Sequence, residues 1–87
     1  MKKNVLIIGA GGVANVAAHK AAQNNDVLGD ICIASRKLEK CDKIIEGIHR
    51  KGNLKDKSKK LYSRQIDAFD VASTVKLIKE TNSEIVM

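Results

Sequence analysis

The chain alternates short apolar runs with longer stretches in which apolar residues recur at three- and four-residue spacing. Asn4 to Ile8 is a continuous apolar run closed by Gly9, the pattern of a central parallel strand buried on both faces. From about Gly12 to Asn24 the chain is alanine-rich and helix-favouring, until Asn24-Asn25-Asp26 and Gly29 break it. Asp30 to Ala34 forms a second apolar strand. Leu38, Cys41, Ile44, Ile45 and Ile48 then mark one face of a helix over about 38–49, with Glu39, Lys40, Asp42, Lys43 and Glu46 opposite. Gly47 weakens that helix and Lys51-Gly52 ends it. Asn53 to Lys60 is a polar, basic connection read as a solvated loop. Leu61 to Ile66 is a weaker third strand ending at Asp67. Asp70 is placed to cap a helix whose apolar positions are Val71, Val75, Leu77 and Ile78, and which stops near Asn82. Glu84-Ile85-Val86-Met87 begins a fourth strand.

This strand-helix order predicts an α/β fold. Right-handed crossovers give a parallel sheet in the order 3-2-1-4 with helices on both faces, the first half of a doubly wound, Rossmann-type fold. The chain stops inside a strand, so residues 1–87 are expected to be one domain, the N-terminal fragment of a longer enzyme. Such a fragment is expected to leave its fourth strand as an open edge, to bind nucleotide weakly and to be inactive alone.

Between the first strand and the first helix lies Gly9-Ala10-Gly11-Gly12-Val13-Ala14, a G-x-G-x-x-A turn. Gly9 permits the sharp turn and Gly11 a close approach of backbone to phosphate. Ala14 is small enough for the helix to pack on the strands. The first helical turn then presents free N–H groups and the positive end of its dipole to an anion. In this strand–turn–helix context the motif points to a dinucleotide pyrophosphate.

The second strand decides which dinucleotide. An NAD site carries a carboxylate about 20 residues beyond the glycine turn, to accept from the ribose hydroxyls. Here that region reads Ala34-Ser35-Arg36, with Lys37 and Lys40 following. A hydroxyl and a guanidinium suit a 2′-phosphate, so the chain favours NADP(H) over NAD(H). Lys40 either joins that phosphate site or is a solvated helix residue, whereas Lys37 is read as solvated. Asp67 either borders the adenine, directly or through Ala68, or is a loop carboxylate between strand and helix. His19 shares a helix face with Asn15 and is read as a surface histidine without a partner.

Composition narrows the classes further. The 87 residues contain no proline, one Tyr and one Phe, so the core must be aliphatic. The net charge of +6 is concentrated between Arg50 and Lys60, where no aromatic residue is interleaved to stack on bases. Nucleic acid is therefore not the expected partner. Cys32 and Cys41 show no metal-ligand spacing and are read as buried thiols of a reducing compartment. The first apolar run is too short for a signal peptide or a membrane span, and the protein is expected to be cytoplasmic. No P-loop lysine and no nucleophile elbow are present.

Taken with these residues, Val5 to Val16, His19-Lys20, Ile33-Ala34-Ser35-Arg36, Gln65-Ile66-Asp67-Ala68 and Glu84-Ile85-Val86, the chain resembles the N-terminal NADP-binding segment of the saccharopine dehydrogenase superfamily. Within it, the resemblance is to the carboxynorspermidine dehydrogenase branch. It implies reductive condensation of aspartate semialdehyde with a diamine, in an enzyme that is a homodimer at full length. By the same resemblance Gly9, Gly11, Gly12, Val13 and Ala14 hold the pyrophosphate. Ser35 and Arg36 bind the 2′-phosphate, and Asp67 with Ala68 lies near adenine. Lys37 stands where a small polar residue is expected. The alternatives are a saccharopine-type enzyme of lysine metabolism and a dinucleotide-sensing module without catalysis. A nucleic-acid binder built on the basic loop ranks below both.

Overall fold

A computed structural model describes residues 3–9, 11–67 and 70–86. The elements run β1 (Lys3–Ile8), α1 (Gly12–Gln23), β2 (Leu28–Ser35), α2 (Leu38–Lys51), β3 (Leu61–Gln65), α3 (Val71–Thr81) and β4 (Ser83–Val86). The strands form one sheet in the order β3-β2-β1-β4, every pairing parallel. The strand order, the parallel sense and the alternation of elements are those the sequence predicts.

The apolar runs explain which strands are central. Val5, Leu6 and Ile7 of β1, and Ile31, Cys32, Ile33 and Ala34 of β2, are all buried. Because side chains alternate across a strand, each run feeds two cores. Val5, Ile7, Ile31 and Ile33 meet Ala18, Ala21, Ala22, Cys41, Ile44 and Ile48 of α1 and α2. Leu6, Cys32 and Ala34 meet Leu77 of α3 on the other face. The three buried alanines of α1 leave little side chain between helix and sheet. By contrast β3 is an edge strand, and its polar residues Ser63, Arg64 and Gln65 suit one open side. Arg64 lies over the Tyr62 ring, 4.9 Å from its centroid.

The helix ends follow their capping residues. The Asp70 carboxylate accepts from the Ser73 N–H (3.3 Å) and hydroxyl (2.8 Å), and these bonds hold its pKa below the ordinary value. Gly52 (φ 66°) ends α2 and Asn82 (φ 54°) ends α3 in the left-handed conformation. Only the second half of the apolar stripe expected on α3 is used. Leu77 is buried and Ile78 packs on the same cluster, whereas Val71 and Val75 are exposed.

Two readings of polar residues are corrected. The connection 53–60 is anchored rather than merely solvated. Leu54 joins the core, and the Lys55 N–H donates to the Ala22 carbonyl at 3.1 Å. Asn25, fully buried, donates to the Asp56 carbonyl (2.8 Å) and accepts from the Asp56 N–H (2.6 Å). That exchange satisfies a buried amide which would otherwise carry a desolvation cost.

His19 likewise has a partner. It is partly buried, and its Nδ1 lies 2.7 Å from the Asn53 amide nitrogen. The ring faces Gly47 of α2, where a Cβ would stand 3.8 Å from Nε2. Burial first, and the Lys51 charge second, lower its pKa from the ordinary 6.5.

Both cysteines are free and buried, on opposite faces of the sheet. Burial pushes the Cys32 thiol up to about 11, against the opposing charge of Arg64, and raises Cys41 as well.

Candidate dinucleotide-binding site

The site lies at the C-terminal ends of β1 and β2, where the chain leaves the sheet twice in close succession. Gly9 has φ 114°, a conformation that side chains rarely adopt, and its N–H donates to the Ala34 carbonyl at 2.7 Å. This bond ties the exit of β1 to the end of β2. Gly11 is the N-cap of α1, in extended backbone at φ −85° and ψ −169°. No side chain caps α1 and no acidic residue lies in its first turn. The N–H groups that every helix start leaves unpaired thus face outward with the dipole unneutralised.

Gly11 and Gly12 differ from Gly9 in kind. Neither has a positive φ, and a Cβ built on either would meet nothing within 4 Å. Nothing in the described chain calls for glycine at these positions. The vacant space over them is what a ligand approaching the backbone would use.

A cleft of about 470 Å³ opens beside this turn, lined by Gly11, Ser35, Arg36, Lys37 and Lys40. Three of the five are cations and none is a carboxylate. Two further hollows share Gly11 with it. One of about 330 Å³ is lined mainly by apolar groups, among them Ile7, Ile8, Val13, Ala14 and Ala17. The other, about 410 Å³, runs between α1 and α2 past Asn15, Lys40, Lys43 and Ile44.

The loop after β2 is held through its backbone by two side chains, one of its own and one from β3. Ser35 Oγ accepts from the Lys37 N–H at 3.3 Å, and the Gln65 amide donates to the Arg36 carbonyl at 3.0 Å. These bonds leave the Arg36 and Lys37 side chains exposed along the cleft.

The structure therefore brings together Gly9, Gly11, Gly12, Val13, Ala14, Ser35, Arg36 and Lys40. Val13 is 87% exposed, beyond the turn. Ala14 packs partly on the core, consistent with its small size. Asp67 follows Ile66, whose N–H donates to the Ser35 carbonyl at 3.0 Å. It is exposed two residues beyond β3, at the same end of the sheet as Ser35, and its carbonyl accepts from the Asp70 N–H at 2.9 Å. It lines none of the three hollows. Ala68 falls outside the described residues.

Sequence reasoning set Lys37 aside and passed over Asn15 and Lys43. The signal for Lys37 was its place next to Ser35-Arg36. For Asn15 and Lys43 it was the one-turn spacing from Gly11 and Lys40. Among the described residues no group of three or more His, Cys, Asp or Glu side chains is placed to hold a metal. No helix among them is long and apolar enough to cross a membrane.

Comparison with known proteins agrees with this geometry. The model of the saccharopine dehydrogenase NADP-binding domain matches residues 5–87. Carboxynorspermidine synthase of Vibrio cholerae serotype O1 is 63% identical over 84 residues, which cover 97% of this chain and 20% of that protein. The carboxynorspermidine synthase of Vibrio alginolyticus is also 63% identical, over 95% of this chain and 20% of its own length. Carboxyaminopropylagmatine dehydrogenase of a Synechocystis species is 40% identical over 95% of this chain and 19% of its own. The chain thus spans about a fifth of the length of these relatives. Among solved structures, protein Rv1636 from Mycobacterium tuberculosis H37Rv superposes with a TM-score of 0.69 at 24% identity. That match covers 97% of this chain and 68% of the other, and shows a shared fold. With the glycine turn, the carboxylate-free cationic cleft and a family match over nearly every residue, the chain belongs to the saccharopine dehydrogenase NADP-binding domain family, and its cofactor is NADP(H).

Proposed function

We propose that this chain is the cofactor-binding domain of a larger oxidoreductase acting on CH–NH bonds in polyamine biosynthesis. The reaction is the reductive condensation of aspartate semialdehyde with a diamine. The amine attacks the aldehyde carbon, water leaves to give an imine, and reduction forms the new secondary amine. The cofactor supplies the hydride for that reduction.

The chain's own residues bind and orient. Gly9, Gly11, Gly12, Val13 and Ala14 hold the pyrophosphate against the N-terminus of α1. Ser35, Arg36 and Lys40 receive the 2′-phosphate, and Asp67 with Ala68 borders the adenine. The observation that carries this reading is the pair Gly11 and Gly12. They are glycines that nothing among the described residues requires to be glycine, and Gly11 opens onto a cleft lined by three cations and no carboxylate. The reaction class is supported by the names of the relatives at 63% and 40% identity. A homodimer follows from the resemblance alone, and a cytoplasmic location suits the two free thiols.

Calorimetric titration with NADPH and with NADH, in wild type and Arg36→Ala, tests the site. The expected result is a preference for NADPH that falls by about tenfold or more in the variant, the worth of a charge-assisted phosphate contact. Equal binding of both nucleotides by the wild type, or an unchanged preference in the variant, would sink the assignment.

A further inference from the structure

Lys37 stands at the N-cap of α2, where the helix itself gains nothing from a lysine. It is in extended backbone at φ −111° and ψ 98°, and it makes no side-chain capping bond. Ser, Thr, Asp or Asn at that place would accept from an N–H of the first turn. A cation there also opposes the positive end of the helix dipole. Glu39, in the first turn, has the sign the helix favours. The lysine is thus unfavourable on two local counts, and its side chain is exposed rather than engaged in the core.

Its surroundings give it another use. Lys37 lines the same cleft as Gly11, Ser35, Arg36 and Lys40, and its N–H donates to Ser35 Oγ at 3.3 Å. That bond ties the Lys37 backbone to the Ser35 hydroxyl and so places the two residues side by side at the rim of the cleft. We infer that Lys37 is a specificity-determining residue, a third cation that with Arg36 and Lys40 selects a cofactor carrying a dianionic 2′-phosphate over one carrying a 2′-hydroxyl. The inference rests on the NADP(H) reading of this cleft. A bound phosphate would relieve both local penalties, since it neutralises Lys37 and faces the dipole of α2.

Titration of the intact protein with NADPH and NADH tests this, in wild type, Lys37→Gln, Lys37→Ser and Lys37→Arg, with thermal midpoints recorded without ligand. Lys37→Gln should weaken NADPH about fivefold and leave NADH unchanged. Lys37→Ser should do the same while raising the ligand-free midpoint, because serine can cap α2. Lys37→Arg should restore most of the NADPH affinity. Unchanged NADPH binding in the Gln and Ser variants overturns the inference, as does an equal loss for both nucleotides. A wild type that does not distinguish the two nucleotides overturns the reading of the cleft itself. A wild type that prefers NADPH, with an equally selective Lys37→Gln, removes Lys37 alone.

Discussion

The two ends of the sheet use the same residue types in opposite ways. At the C-terminal ends of β1 and β2, Gly11 and Gly12 face open space and α1 starts without a cap. At the other end, Gly29 is packed directly against Asn4. A Cβ there would collide with Asn4 Oδ1 and stand 3.2 Å from the Asn4 and Lys3 backbone. Asn4 in turn accepts from the Asp30 N–H (2.9 Å) and donates to the Thr81 carbonyl (3.2 Å), at the place where the register of β1 shifts. Asp30 accepts from the Lys60 N–H at 2.9 Å, and Asn25 holds Asp56. One end is closed by its own hydrogen bonds. The other is left open among the described residues. A glycine or polar residue is structural when the fold uses it, and a candidate for function when the fold does not.

The sharpest way to break this contrast is to add one methyl group at each end. Gly29→Ala should destabilise the protein by about 2–4 kcal/mol, because Asn4 must give up bonds that join β1, β2 and the end of α3. Its folded fraction should bind NADPH as the wild type does, measured by denaturation and titration side by side. Gly11→Ala should leave the thermal midpoint nearly unchanged, since its φ and ψ suit alanine and no atom is near. It should lower NADPH affinity by about tenfold or more, because the methyl occupies the ground a phosphate must approach. If Gly11→Ala binds normally, the open end has no need of its glycine and the contrast fails.

The smallest effect concerns His19, which belongs with the closed end. Its Nδ1 accepts from Asn53 only while the ring is neutral, and its folded pKa lies below the ordinary 6.5. The unfolded chain therefore binds a proton that the folded chain refuses. Stability from this contact is complete above pH 6.5 and declines as pH falls from there through the lowered folded value. Thermal midpoints between about pH 7.5 and 5 should show this slope in wild type and a shallower one in His19→Gln. NADPH affinity should follow the same slope in both proteins if His19 is purely structural.

Much of this was legible in the sequence, and the parts that were not share a cause. β1 and β2 announce themselves as unbroken apolar runs. The stripe Cys41, Ile44, Ile48 is a local pattern, and Asp70 and Gly52 are local caps. Alternation of elements fixes the strand order through the handedness of crossovers. The site motif was legible for the same reason, since Gly9 to Ala14 and Ser35-Arg36 are each contiguous. What stayed hidden joins distant residues. Asn25 with Asp56, and His19 with Asn53, lie 31 and 34 positions apart. Each partner alone looks like a loop or surface residue. Lys37 was hidden differently, because only the turn from Ser35 into α2 brings its side chain to the cleft. Val71 and Val75 were over-read, since a helical stripe says which face is apolar but not how much of it the sheet reaches.

The positions of the two thiols have a practical consequence. Cys41 is sealed between α2 and one face of the sheet, and Cys32 under α3 on the other. Neither meets solvent unless its own layer opens. Alkylation of each, followed by mass under native conditions, therefore clocks the breathing of each layer separately, with no label introduced. The natural sequence already carries one such reporter for the half of the fold that supports the cleft and one for the half that does not.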